Sequence, residues 1–177
     1  MKRLTILIAA LSFGITLMAQ PFPPTLFGIP VTGSIEALSH QLEYVGFTDF
    51  YDTKPAYGGY YKGEKATLHV EMNKEINQIL ALKLRVTDNI PLEDALKKYE
   101  MHYNDFTGDS YYTALRSNKL PTSKADLNNE KAYGTVYTSI FYQNGDSNKL
   151  VELNMNRVDY VFYVEIKVTN LYNKGPF

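Results

Sequence analysis

Alternation of apolar and polar side chains is the feature that most constrains the fold of this chain. It runs through residues 66–72, 80–86, 150–156 and 160–169. Successive side chains of a strand point to opposite faces, so a period of two predicts antiparallel strands that each bury one face. On the last of these strands, the alternation assigns to the buried side Tyr160, Phe162, Val164, Ile166 and Val168.

Two other segments carry apolar residues at helical spacing. The first follows Thr32, Gly33 and Ser34, which supply helix-capping chemistry, and ends before Gly46, which suits a left-handed helix stop. For the second, Asp88 or Asn89 is the predicted cap and Pro91 fits the first turn. The apolar positions of the two helices are Ile35, Leu38, Leu42 and Val45, then Leu92, Ala95, Leu96, Tyr99, Tyr103 and Phe106.

Turn signals separate the predicted strands. Asn144-Gly145-Asp146 is typical of a hairpin turn. Gly58 and Gly59, inside a strand predicted over residues 57–62, suggest a bulge or a kink. Residues 109–133 lack periodicity, and we expect them to form a long loop with little regular structure.

The elements follow one another as helix, strands, helix, strands. This order predicts an α+β fold built from two helix-plus-meander halves. We expect both helices to pack on one face of a continuous antiparallel sheet and to leave the other face open.

The beginning of the chain predicts export. Basic residues at positions 2 and 3 precede a short apolar run and a small residue, Ala19, and these are the parts of a secretory signal peptide. The predicted divisions are a signal peptide (residues 1–19), an extended proline-rich leader (20–26) and a single α+β domain (27–177). We expect the cleaved protein to be periplasmic or secreted, with no stable membrane span.

The composition excludes several classes of function. The chain contains no cysteine, which excludes disulfides, thiol catalysis, thiolate metal sites and a lipid anchor on a mature N-terminal cysteine. Its formal net charge is −1, without the basic footprint that nucleic-acid-binding proteins carry. No nucleic-acid partner is therefore expected.

The segment 27–35 (Phe-Gly-Ile-Pro-Val-Thr-Gly-Ser-Ile), with Gly46-Phe47 after the first helix, resembles the start of a family of small exported Bacteroidetes proteins. A Phe-Ala-Gly-Tyr stretch of that family is similar to residues 57–60, and the resemblance covers most of the mature chain. It implies a fold like that of the β-lactamase inhibitor protein, also found in lipoproteins of the outer-membrane assembly machinery. The family's function is unknown, so no catalytic residues are implied. The chain departs from the family at residues 99–103, where many members read Lys-Tyr-Gly-x-Pro.

Candidate residues for catalysis or metal binding are few. His40, His69 and His102 have no second histidine at metal-ligand spacing, so each is predicted to be an ordinary surface histidine. Residues 104–110 lack the ligand spacing and the closing glutamate of a calcium loop. No nucleophile motif such as Gly-x-Ser-x-Gly is present. We therefore expect no catalytic residues, no metal and no cofactor.

Tyrosine is abundant, with 15 residues against no tryptophan. Tyr57, Tyr61, Tyr137 and Tyr163 fall on predicted strands, and strand parity places Tyr137 and Tyr163 opposite the buried residues. Because interface hot spots are enriched in tyrosine, these four are the predicted binding residues of an open aromatic sheet face. The alternative is that their rings merely stack across strands on a solvated face.

These patterns predict an exported binding or inhibitor-like module that is not an enzyme. Its expected partner is an extracytoplasmic protein or a glycan. The alternative is a small extracytoplasmic hydrolase of glycans or peptides that uses carboxylates as acid and base, since paired carboxylates need no local sequence motif.

Overall fold

The structure is a computed structural model that describes residues 22–49, 56–86, 88–127 and 133–175. The predicted signal peptide and the first two residues of the predicted leader lie outside the described residues. The described helices are α1 (Ile35–Tyr44) and α2 (Leu92–Gly108). The strands are β1 (Thr25–Leu26), β2 (Ile29–Pro30), β3 (Thr48–Asp49), β4 (Ala56–Tyr61), β5 (Glu64–Asn73), β6 (Gln78–Arg85), β7 (Tyr112–Ala114), β8 (Tyr133–Gln143), β9 (Lys149–Val158) and β10 (Val161–Asn170).

An eight-stranded antiparallel sheet has the order β3-β4-β5-β6-β10-β9-β8-β7, and β1 pairs with β2 in a separate hairpin. Strands β3 to β6 follow α1 as one meander, and β7 to β10 follow α2 as a second. The last strands of the two meanders, β6 and β10, pair with each other at the centre of the sheet. The predicted α+β fold with two helix-plus-meander halves is confirmed.

The core lies on the face of the sheet that the helices cover. At the centre of the sheet, Ile166 lies between Leu84 and Leu153 in the strand register. These three side chains share one buried cluster with Leu42 of α1 and Tyr99 of α2. Burial of apolar surface of this kind is the main stabilising term in folding. Strand parity places the intervening residues on the opposite side, which we call the open face.

The ends of α1 follow the sequence signals. The hydroxyl of Ser34 accepts a hydrogen bond from the Ala37 N–H at 3.3 Å, which satisfies one of the free donors of the first turn. Gly46 has a φ of +87°, a left-handed conformation that glycine adopts without strain. The chain therefore reverses, and the Phe47 N–H donates to the Leu42 carbonyl at 2.9 Å.

The start of α2 differs from the prediction. Pro91 is the N-cap, in an extended conformation with ψ of 157°, and no side chain caps the helix. Its carbonyl accepts the first helical bond, from the Ala95 N–H at 3.0 Å. Capping by Asp88 or Asn89 was therefore wrong, because both residues lie too far before the first helical turn.

Two β-bulges change the parity that simple alternation predicts. Between β5 and β6 the register shifts so that Leu80 is the extra residue, and Ile79 is fully buried instead. Between β8 and β9 the extra residue is Val136. Strand β4, by contrast, pairs with β5 without a register shift at Gly58 and Gly59, so the bulge predicted there was wrong.

The remaining connections also refine the predictions. Tyr160 is 89% exposed, not buried, because it stands in the β9–β10 turn beside Asp159, which has a φ of +55°. Asn144 and Gly145 have φ values of +51° and +66°, which confirms the predicted hairpin turn. The segment predicted as a loop contains β7 and a 3₁₀ helix at Lys124–Asp126.

The N-terminal part of the described chain belongs to the folded domain. The Gln143 side chain accepts from the Thr25 N–H at 2.8 Å and donates to the Thr25 carbonyl at 2.6 Å. Asn170 donates to the Val31 carbonyl at 2.9 Å. Leu26 is 3% exposed and lies in the core, so the end of the predicted leader packs with the sheet.

Candidate functional site

Two of the four candidate tyrosines lie on the helix-covered side of β4. Tyr57 is opposite Leu68 and 2% exposed, with its hydroxyl 2.7 Å from the hydroxyl of Ser39 on α1. Tyr61 is half-buried and stacks on His102 at 5.6 Å between ring centres. The open-face position predicted for both was wrong, because the parity of β4 turns residues 57, 59 and 61 toward the helices.

Tyr137 also faces the helices. It lies opposite Met155, a core residue, and its ring meets the edge of the Tyr99 ring at 5.7 Å. Its hydroxyl donates to the Lys119 carbonyl at 2.8 Å. The predicted open-face position was wrong because Val136 is the extra residue of a bulge, and Tyr137 after it pairs with Met155 on the core side.

Tyr163 lies on the open face, as strand parity predicted. It stands opposite Asn156 in the β9–β10 register. The guanidinium of Arg85 lies 3.6 Å from the centre of the Tyr163 ring, a cation–π distance. The Arg85 Nε is also 2.7 Å from Asp88 Oδ1, in an ion pair that lacks hydrogen-bond geometry.

The middle of the open face is polar rather than aromatic. On the three central strands β6, β10 and β9, the open-face side chains are mostly charged or amide-bearing, and we call the polar ones the central polar patch. Its members are Lys83, Arg85, Glu152, Asn154, Asn156, Tyr163, Glu165, Lys167 and Thr169.

Charges in the patch are interleaved and pair with one another. Lys167 Nζ lies 3.5 Å from a Glu152 oxygen. It also lies 3.7 Å from a Glu71 oxygen on β5, the strand on the far side of β6. Lys83 also forms an ion pair with Glu71. All four side chains are between 25% and 37% exposed, so each pair contributes little to stability. Their effect is to fix the side chains in place and to neutralise the surface.

Two asparagines form parallel bonds across β8 and β9. The Thr138 hydroxyl donates to Asn154 Oδ1 and the Thr135 hydroxyl to Asn156 Oδ1, each at 2.7 Å. Asn154 also bonds Glu165, whereas Asn156 Nδ2 has no hydrogen-bond partner although Asn156 is only 4% exposed. In the described ranges the buried side-chain atoms without a hydrogen bond are Asn156 Nδ2, Thr169 Oγ1 and Arg85 Nε.

Glu165 has the most perturbed environment of the patch carboxylates. Burial raises its pKa, against the opposing pull of Lys83, Lys167 and Arg85 and the hydrogen bond from Asn154. A raised carboxyl pKa is a property of many catalytic acids, and it also follows from burial alone.

His102 is a buried residue, so the prediction of a surface histidine was wrong. It is 2% exposed, and its Nδ1 lies 3.3 Å from an Asp105 oxygen that also contacts Lys62 Nζ at 2.5 Å. Burial lowers the pKa of His102, Asp105 opposes this shift and Lys62 adds to it. Burial also raises the pKa of Tyr61 to about 12. This cluster connects the β4–β5 hairpin to α2.

A cleft of about 870 Å³ lies between the end of α1, the β4–β5 hairpin and α2. Ala66, Val86 and Ile90 supply apolar lining, and the rim carries charges. Two lysines of this rim already form ion pairs, Lys98 with Glu64 and Lys97 with Asp94. Among the described residues, none of those with a buried polar atom that lacks a hydrogen bond lines this cleft. The central polar patch is therefore the stronger candidate site.

The described ranges contain no group of three or more histidine, aspartate or glutamate side chains arranged to hold a metal ion. Neither described helix combines the length and the hydrophobicity that a bilayer span requires.

Sequence reasoning missed most of the patch. The polar positions of the alternating strands were visible, among them Lys83, Arg85 and Lys167. Their pairing across β6, β10 and β9 was not visible, because it depends on the contact between the last strands of two distant meanders. A search for charged residues on the polar side of each predicted strand would have found them as a group.

Comparison with known proteins adds no relative. No family model matches the chain, and neither a curated protein nor a solved structure is significantly similar to it. The resemblance to exported Bacteroidetes proteins stays a prediction, and function is inferred from the geometry of the open face.

Proposed function

We propose that the protein is an exported, non-catalytic binding module whose open sheet face takes a partner outside the cytoplasm. The observation that carries this proposal is that two buried polar atoms of the central polar patch, Asn156 Nδ2 and Thr169 Oγ1, have no hydrogen-bond partner. Such an atom costs about 1–3 kcal/mol, and native proteins contain few of them. A partner that supplies the missing hydrogen bonds would recover part of that cost.

A solvated face without a partner is the competing explanation. On such a face polar atoms stay in contact with water, but Asn156 and Thr169 are only 4% and 6% exposed. Tyr163 lies opposite Asn156 and is itself half-buried under Arg85. Partly exposed side chains change rotamer within nanoseconds, so a partner that displaces this stacked pair gains access to the Asn156 amide.

Of the four tyrosines predicted to bind, Tyr163 alone is retained in this proposal. Tyr57, Tyr61 and Tyr137 pack under the helices and reach no partner on the open face. The proposed binding chemistry is therefore hydrogen bonding and ion pairing around one aromatic ring.

Retention of a partner from periplasmic and secreted fractions tests the proposal. Immobilised wild-type protein is compared with Tyr163→Ala and with the control Tyr44→Ala, which removes a ring that is 92% exposed on α1. Retained material is analysed for both protein and sugar. We expect the wild type and the control to retain the same partner and Tyr163→Ala to retain about a tenth as much. Equal retention by all three, or retention by none, would contradict the proposal.

A small hydrolase is the second candidate, and the raised pKa of Glu165 is the observation that favours it. A carboxyl group that stays protonated at higher pH is suited to act as a general acid. Turnover of a glycan or peptide by the purified protein, lost in Glu165→Gln while binding persists, would establish this function instead.

A further inference from the structure

Resting on the proposed binding function, we infer that the central polar patch binds an uncharged oligosaccharide. Three features of the face point to this class of ligand: the balance of its charges, its unpartnered polar atoms and the shortage of apolar anchors at its centre.

Together with the adjoining Glu71, the patch has no formal net charge with which to attract a polyanion or a polycation. The basic residues of the patch are Lys83, Arg85 and Lys167. They are balanced by Glu152 and Glu165 of the patch and by Glu71 on the adjoining strand β5. In the strand register Arg85 stands opposite Glu165, and Lys167 stands between Lys83 and Glu152. Both lysines already form ion pairs with Glu71, and Lys167 also pairs with Glu152. Steering of charged partners requires a surface dominated by one sign of charge. The ligand that fits is therefore neutral and rich in hydrogen-bonding groups.

The unpartnered atoms match the hydroxyl groups of a sugar. Asn156 Nδ2 is a donor that lacks an acceptor, and Thr169 Oγ1 can both donate and accept. A sugar hydroxyl is both donor and acceptor, so it satisfies either atom. Arg85 covers the Tyr163 ring at 3.6 Å. Once the guanidinium is displaced, the negative face of the ring suits the C–H groups of a pyranose.

A protein partner fits the centre of the face less well. The cores of protein interfaces are depleted in charged residues and rely on aromatic or aliphatic anchors. At the centre of this face the charges dominate and Tyr163 is the aromatic ring, while Tyr57 and Tyr137 point into the core.

The size of the patch favours a chain of sugars over a single unit. From Tyr163 to Thr169 the patch extends over six residues of β10, or about 20 Å at the rise of a β-strand. Asn156 lies at one end of this span and Thr169 at the other. An oligosaccharide that lies along β10 is long enough to span both positions.

Calorimetric titration tests the inference with cellohexaose, xylohexaose, maltohexaose and mannohexaose as neutral probes and hexagalacturonate as a charged comparator. We expect at least one neutral hexasaccharide to bind with a dissociation constant below about 1 mM. Asn156→Ala and Thr169→Val should each weaken that binding about fivefold or more, the loss expected for one hydrogen bond. Thr169→Val keeps the volume of the side chain, so it tests the hydroxyl without opening the core. The control Lys97→Ala, on α2, should bind like the wild type.

Each other outcome overturns the inference. In the first, none of the neutral hexasaccharides binds the protein. In the second, hexagalacturonate binds and the neutral sugars do not. In the third, Asn156→Ala and Thr169→Val bind the sugar as tightly as the wild type does. If the retention experiment recovers a protein through Tyr163 while the sugars fail, the binding function stands and the sugar ligand is wrong. If nothing is retained and no sugar binds, both are wrong.

Discussion

At the scale of single residues, burial decides which ionisable side chains matter. His102 lies on the apolar stripe of α2 between Tyr99 and Phe106 and is 2% exposed. Its pKa is lowered from the usual 6.5, mainly by burial. In the unfolded chain the same imidazole binds a proton near its ordinary pKa. Between the two pKa values the unfolded state therefore binds more protons, and stability rises with pH.

His102 should make the folded protein less stable in mild acid. As pH falls from 7 through the ordinary value of 6.5, the free energy of unfolding should decrease until the pH reaches the lowered pKa of the folded state. His102→Gln should flatten this part of the profile, measured by urea unfolding at a series of pH values. The control His40→Gln removes an exposed histidine and should leave the slope unchanged. An equal slope in wild type and His102→Gln would contradict this explanation.

Individual side chains were predicted unevenly from the sequence. Ser34 and Gly46 were correctly assigned to the ends of α1, because capping depends on local chemistry. The burial of Tyr57 and His102 was missed. The Tyr57 hydroxyl is satisfied by Ser39 on another element, whereas His102 pairs with Asp105 of its own helix and stacks with Tyr61 of β4. A polar side chain gives no sequence signal that its hydrogen-bond partner lies across the fold.

At the scale of elements, the close contact between β4 and the end of α1 explains one of the two adjacent glycines. A Cβ atom on Gly59 would lie 2.7 Å from two ring atoms of Phe47 and 2.9 Å from the Gly46 carbonyl oxygen. Phe47 is 3% exposed and part of the core. Gly59 therefore permits the chain after α1 to pack directly on the strand, without the bulge that the sequence suggested.

Substitution of Gly59 should be costly. Gly59→Ala forces either the Phe47 ring or the backbone at Gly46 to move, and overpacking of this kind costs about 1–3 kcal/mol. The loss is measured as a lower urea midpoint at unchanged slope. Gly108→Ala, at the end of α2 where an added Cβ meets nothing within 4 Å, is the matched control. A stability of Gly59→Ala equal to that of the control would show that the contact is not as close as described.

The locations of the helices and of the longer strands were predicted well from the sequence. Which face of the sheet each side chain points to was predicted less well. The period of two located β5, β6, β9 and β10, and the helical spacing located α1 and α2. The two bulges, at Leu80 and Val136, shift side chains from one face to the other. A bulge shifts the phase of the alternation by one residue. At both bulges two adjacent residues are apolar, Ile79 with Leu80 and Val136 with Tyr137, so the alternation alone did not locate either shift.

At the scale of the whole molecule, the pairing of β6 with β10 creates the candidate site. It joins the two meanders into one sheet and brings Arg85 and Lys83 beside Glu165 and Lys167. The same pairing places Leu84 against Ile166 on the core side, so the contact that stabilises the fold also assembles the central polar patch. The order of elements predicted the two halves, but the sequence alone left open which strands of the two halves would meet.

Hydroxyl-radical footprinting with the retained partner tests most directly whether the open face is the binding surface. The radical labels exposed tyrosines, and the chain offers Tyr163 on the open face, Tyr44 on α1 and Tyr60 at the cleft, of which Tyr44 and Tyr60 are 92% and 64% exposed. We expect the partner to reduce labelling of Tyr163 and to leave Tyr44 and Tyr60 unchanged. Reduced labelling of Tyr44 or Tyr60 with unchanged labelling of Tyr163 would place binding on the helix side and contradict the proposed function.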